Sequence, residues 1–184
     1  MTRLKVGVMG SADDTLPGGV AEAVREKGEA LGREIAARNL LILTGATTGL
    51  PLLVGSAARS AGALHIGISP ASNETEHAEI YHLPQDACDL IIYTGFGLKG
   101  RNVVLVRSCD IVLIVGGSMG ALNEFTIAHD EGKIIGCLTG TGGVADETER
   151  LLKVFPKETG ACVLHGEDPA RLLAGCLEAL QSRR

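Results

Sequence analysis

Three things are scarce in this 184-residue chain: long apolar runs, clustered basic residues and paired cysteines. No stretch approaches the roughly 18 consecutive apolar residues of a membrane-spanning helix, which excludes an integral membrane protein of that kind. No run of Lys or Arg interrupts a formal net charge of −5, so a nucleic-acid backbone would meet no concentrated positive surface and any anion must be bound locally. The five cysteines, Cys88, Cys109, Cys137, Cys162 and Cys176, are odd in number and form no C-x-x-C pair, and most lie in apolar runs where a thiol packs as a small hydrophobe. The start, MTRLKVGVMG, has an apolar stretch too short and too glycine-broken for a signal peptide, so we expect a cytoplasmic protein. The P-loop pattern G-x-x-x-x-G-K-[ST] is also missing. One G-x-G-x-x-[GA] match, Gly140 to Ala145, follows a late strand rather than the first, which argues against an ordinary NAD site.

What is present is core-forming: 45% hydrophobic residues, 21% charged, and 25 glycines for tight turns, a composition that predicts one folded domain over residues 1–184. Short β-branched runs alternate with longer amphipathic ones. The periodicity predicts strands over 4–9, 40–43, 63–68, 89–93, 110–115, 133–138 and 161–164, and helices over 20–38, 50–61, 101–109, 122–131, 146–154 and 169–181. Residues 69–85 are polar and proline-punctuated, and read as an irregular excursion with one short strand near 80–83. Strands such as Ile111 to Val115, apolar at every position, are buried on both faces. The expectation is therefore a doubly wound, mostly parallel α/β sheet with helices on both faces, Rossmann-like in type.

In such sheets ligands gather beyond the carboxyl ends of the strands, where loops lead into helix N-termini whose free N–H groups favour anions. Three loops carry unusual residues: Gly10-Ser11-Ala12-Asp13, Thr44-Gly45-Ala46-Thr47-Thr48-Gly49-Leu50, and Gly116-Gly117-Ser118-Met119-Gly120-Ala121-Leu122-Asn123-Glu124. Their glycines permit close backbone approach and their hydroxyls add donors, which together suit a phosphate cradle. Asp13 and Asp14 could touch a ribose or a Mg²⁺, and turn chemistry explains them as well. Two charges are not explained locally. Arg101 reads as the first residue of a helix, where the dipole disfavours a cation, and Glu124 is not placed to cap its helix. A carboxylate beside a phosphate should face a neutral or positive part of the ligand, such as ribose hydroxyls or an oxocarbenium centre. His77 and His82, with Glu76 and Glu79, match no metal-ligand spacing and read as solvated side chains. No metal or cofactor is expected. Of the lysines, Lys99 alone falls near the loops, which speaks against a pyridoxal enzyme.

Taken in order over residues 4–140, these segments resemble the LOG ("Lonely guy") phosphoribohydrolases, long labelled possible lysine decarboxylases, and the wider SLOG superfamily. Gly10-Ser11 matches the family's G-S-S, Thr44 to Leu50 its G-G-G-x-x-G-L, and Gly116 to Glu124 its P-G-G-x-G-T-x-x-E. The resemblance implies that Gly10, Ser11, Gly45, Thr47, Thr48, Gly49, Gly116, Gly117, Ser118, Met119, Gly120 and Ala121 hold the phosphate of a nucleoside 5′-monophosphate. It further implies that Arg101 and Glu124 act in N-glycosidic cleavage, in a homodimer or higher homo-oligomer. Gly116 replaces the motif's Pro, Ser118 its second Gly and Ala121 its Thr, which removes one hydroxyl donor. Gly100-Arg101-Asn102, with Asn102 as a further ligand contact, and the glycines of 140–143 are closer to a SLOG branch that includes molybdenum-cofactor carrier proteins. Two readings therefore stand: a nucleotide phosphoribohydrolase, or a non-catalytic carrier or sensor of a phosphorylated pterin or signalling nucleotide. Either has a small phosphorylated partner, and neither involves nucleic acid or membrane. The small-residue stretch Val54-Gly55-Ser56-Ala57-Ala58 suits either a subunit contact or an interior helix.

Overall fold

The computed structural model describes residues 3–12 and 21–183. The apolar runs become seven strands: β1 (Lys5–Gly10), β2 (Leu41–Thr44), β3 (His65–Ser69), β4 (Leu90–Tyr93), β5 (Ile111–Val115), β6 (Ile134–Leu138) and β7 (Cys162–Gly166). All pair in parallel in one sheet of order β4-β3-β2-β1-β5-β6-β7. The crossovers are α1 (Glu22–Ala37), α2 (Gly49–Ser60), α3 (Gly97–Ser108), α4 (Met119–Asp130) and α5 (Gly143–Val154), and α6 (Pro169–Gln181) follows β7. Successive side chains of β5 feed two separate cores. Ile111, Leu113 and Val115 meet Leu31, Val54 and Leu173 of α1, α2 and α6, whereas Val112 and Ile114 meet Leu105, Phe125 and Ala145 of α3, α4 and α5. A strand covered on both faces has no polar positions to alternate with, which is why this run is uniformly apolar.

The helices that follow glycine-rich loops begin earlier than their apolar periodicity indicates. α3 starts at Gly97, α4 at Met119 and α5 at Gly143. Arg101 thus sits in the second turn of α3 and not at its first residue. The dipole penalty expected at a helix start does not apply to it. A second difference lies between β3 and β4, where no strand forms at 80–83. Glu76–Ile80 is instead a π-helical turn. That turn carries His77 inward to complete burial. Its Nε2 faces the Pro84 carbonyl at 3.1 Å, which can only accept, so Nε2 carries the proton and Nδ1 accepts from the Ser69 hydroxyl at 2.8 Å. The histidine read as solvated is therefore a core residue with both ring nitrogens satisfied. The small-residue stretch of α2 is used within the chain: a Cβ at Gly55 would lie 2.2 Å from the His65 ring, and one at Gly32 of α1 2.5 Å from the Val54 carbonyl. Among the described residues no helix is long and apolar enough to cross a membrane.

Candidate functional site

β1 and β5 are neighbours, yet α1 leaves β1 on one face and α4 leaves β5 on the other. Diverging connections open a crevice at the carboxyl ends of the two strands, the place where doubly wound sheets bind ligands. A cavity of about 180 Å³ lies there. Gly10 of β1 and Ala12 just beyond it line it, with Gly45 and Thr47 from the loop after β2, Ser118 at the entry to α4 and Gly120, Ala121 and Glu124 on it, and Lys99, Arg101 and Asn102 from α3.

Among the described residues, the start of α4 supplies donors without partners. Leu122 is the first residue to reach back, to the Ser118 carbonyl at 2.9 Å, and the Ser118 side chain does not cap the helix. The N–H groups of Met119, Gly120 and Ala121 belong to the unsatisfied first turn, where an anion is stabilised. α2 is different. Its Leu50 N–H donates to the Ser11 carbonyl at 2.9 Å, and Pro51 has no N–H to offer.

Arg101 and Glu124 face this cavity, each only 7% exposed. The Arg101 guanidinium donates from Nη1 to the Ile68 carbonyl at 3.3 Å, while its Nε has no partner among the described residues. Gly45 makes room for it: a Cβ there would fall 1.5 Å from Nη1. Burial pushes Arg101 below its ordinary value and the charge of Glu124 pulls it back. Burial pushes the Glu124 carboxyl up to about 7, against the opposing pull of Arg101 and Lys99. Burial thus disfavours the ionised form of Glu124, and the neighbouring cations favour it. Asn102 donates its amide to Asn123 at 2.9 Å and so ties α3 to α4 beside both charges. At the far end of the same helices Arg107 bridges to Glu131, with a shortest distance of 2.6 Å. Asn123 is a site-supporting residue that the sequence reading passes over, although its position next to Glu124 marks it.

Other expected ligand residues lie behind the wall. The Ser11 hydroxyl accepts from Gly117 N–H at 2.9 Å, and Gly116 N–H donates to the Thr141 hydroxyl at 2.8 Å. The carbonyls of Gly116 and Gly117 accept from Ala145 and Val144 at the start of α5. Gly49, at φ +72, lies against the Ser11 carbonyl, and the Thr48 hydroxyl donates to the Ala12 carbonyl. Met119 is 74% exposed outside the cavity. These groups brace the loops against one another. Among the described residues no three His, Cys, Asp or Glu side chains gather as a metal-binding group, and Asp13 and Asp14 lie outside the described residues.

Comparison with known proteins agrees with this architecture. The chain is 29% identical over 138 residues, 75% of its length and 82% of the other's, to an uncharacterised protein of Archaeoglobus fulgidus. It is 25% identical to the crystal structure of TM1055, with a TM-score of 0.82 over 96% of this chain and 99% of that one. The molybdenum cofactor binding protein from the phototrophic bacterium Rippkaea orientalis is 27% identical, with a TM-score of 0.72 over 100% of this chain and 98% of that one. A family model matches residues 3–173 and bears out the resemblance read from the loops: the chain belongs to the SLOG cluster4 family.

Proposed function

We propose that this protein binds a small phosphorylated ligand carrying a ring, a nucleoside 5′-monophosphate or a phosphorylated pterin, at the carboxyl edge of β1 and β5. One observation carries the reading: the N–H groups at the start of α4, without partners among the described residues, open into the same cavity as the buried carboxyl of Glu124 and the buried guanidinium of Arg101, whose Nε has no partner among those residues. Buried polar atoms are normally satisfied, so their remaining hydrogen-bonding capacity is reserved for a guest. The phosphate is held at Ser118, Gly120 and Ala121, with Lys99 and Arg101 adding positive charge, and Gly10, Gly45 and Thr47 form the opposite wall.

As an enzyme the protein is a nucleotide phosphoribohydrolase. Water adds to the anomeric carbon, the N-glycosidic bond breaks, and the base and ribose 5-phosphate leave. Arg101 orients the ligand and Glu124 stabilises the oxocarbenium-like centre or moves the proton. As a carrier the same site holds a phosphorylated pterin unchanged. The similarity to a molybdenum cofactor binding protein and the loss of the motif hydroxyl at Ala121 favour this second reading. The small-molecule ligand, the cytoplasmic location and a homo-oligomeric state belong to the same proposal.

The test is a panel of nucleoside 5′-monophosphates with free base followed by chromatography, alongside thermal protection by the same compounds and by a phosphorylated pterin. Base release that Glu124→Gln abolishes establishes the enzyme. Protection without release establishes the carrier. If no phosphorylated compound protects, the binding proposal fails.

A further inference from the structure

The cavity at the carboxyl ends of β1 and β5 holds about 180 Å³. Sites that enclose a whole small-molecule ligand begin at roughly 300 Å³, so a nucleotide or a phosphorylated pterin exceeds what this cavity encloses. Its polar groups account for one end of such a ligand. The N–H groups at the start of α4 suit the phosphate, and Arg101 and Glu124, each 7% exposed, line the buried part of the same wall. The ring is left to lie at the mouth.

The lining residues divide by exposure. Val8, Met9 and Pro51 are apolar and buried. The exposed ones, which mark the mouth, are Ala12, Leu98, Lys99 and Ser118. Ala12 has a single methyl to offer, Lys99 carries a charge and Ser118 a hydroxyl. Leu98, 52% exposed, is the one large apolar side chain at the mouth among the described residues. An exposed leucine by itself needs no explanation. What distinguishes this one is its place on α3. Leu98, Arg101 and Asn102 stand at i, i+3 and i+4, the spacing that puts side chains on one face of a helix, and all three line the cavity. Leu98 is thus one turn nearer the helix start than the guanidinium, on the same face. Its backbone is held there, since Gly97 just before it adopts φ +65 and donates its N–H to the Pro70 carbonyl at 3.0 Å.

We infer that Leu98 is the apolar rest for the planar ring of the ligand, purine or pterin, and so sets a preference for ring-bearing phosphates over bare sugar phosphates. This rests on the binding reading above and adds the residue that meets the ring. Covering a half-exposed leucine with a ring face removes apolar surface of both partners from water, and truncation to alanine is expected to cost about fivefold in affinity.

The experiment uses the full chain and calorimetric titration with four probes: adenosine and guanosine 5′-monophosphates, a phosphorylated pterin, and ribose 5-phosphate, which lacks the ring. Leu98→Ala is expected to weaken the three ring-bearing probes by about fivefold while ribose 5-phosphate binds as before. Leu98→Met, which keeps the apolar volume, should bind all four within about twofold of the parent. Unchanged affinity of Leu98→Ala for the ring-bearing probes overturns the inference. Equal loss for all four probes overturns it too, because the residue then shapes the site generally. If the unaltered protein binds ribose 5-phosphate as tightly as the ring-bearing probes, the binding reading stands and this inference alone fails. If it binds none of the four, the binding reading itself fails and this inference with it.

Discussion

The corner around His77 and the cavity around Arg101 both bury polar side chains at the carboxyl edge of the sheet, in opposite ways. His77 is completely enclosed and has a partner on each ring nitrogen, the Ser69 hydroxyl and the Pro84 carbonyl. Arg101 and Glu124 are almost as buried, yet Arg101 Nε has no partner among the described residues and Glu124 keeps a carboxyl shifted to about 7 by its surroundings. A satisfied buried group supports the fold. A group left unsatisfied beside an opening costs stability unless something else binds it, so the two regions separate a side chain that supports the fold from groups available to a ligand.

The largest expected effect tests the first region. His77→Ala removes two hydrogen bonds and leaves a void, and should cost about 3 kcal/mol in urea unfolding. A loss below about 1 kcal/mol would break the contrast, since a surface residue would do the same.

Next comes the pH dependence of stability. The Glu124 carboxyl is raised from 4.5 to about 7 in the folded state, so the native protein favours the protonated form. The stability this contributes is fully present below pH 4.5 and is lost as pH rises through 7. Glu124→Gln should therefore be more stable than the parent at pH 8 by up to about 3 kcal/mol, with the gap closing as the solution is acidified. His65 works in the other direction. Burial lowers it from 6.5 to about 4, so its contribution is present above 6.5 and lost as pH falls toward 4. Between pH 4.5 and 6.5 the two slopes oppose each other. Unfolding curves of Glu124→Gln should accordingly fall more steeply with acid than those of the parent. Parallel curves would mean that Glu124 is not buried as described.

The smallest effect sharpens the comparison at one methyl group. Gly45→Ala must move the Arg101 guanidinium, and calorimetric affinity for a phosphorylated ligand should fall about tenfold with little change in fold. If affinity is unchanged, Arg101 does not hold the ligand.

The strands were legible because burial on both faces leaves only apolar residues, as at Ile111 to Val115. Glu124 stood out because no cap role explains it, and Arg101 because it was read at a helix start that the structure moves to Gly97; the cavity brings the two together all the same. The helix starts were not legible, because glycines at 97, 120 and 143 have low helix propensity and read as loop although they occupy first turns. Gly45 was visible as a special glycine, but its close neighbour, a guanidinium from α3, is 56 residues away in sequence and has no local signature. His77 was misread for the same reason: its partners are brought round by a π-helical turn that follows neither a helical nor a strand repeat.

The Asn102–Asn123 amide contact and the Arg107–Glu131 bridge fasten α3 and α4 together at two levels. Arg101 and Glu124 are the immediate sequence neighbours of the first fastening. Their separation therefore depends on how these two helices pack as well as on the side chains themselves. A ligand bridging both charges would meet a spacing set by the two helices together.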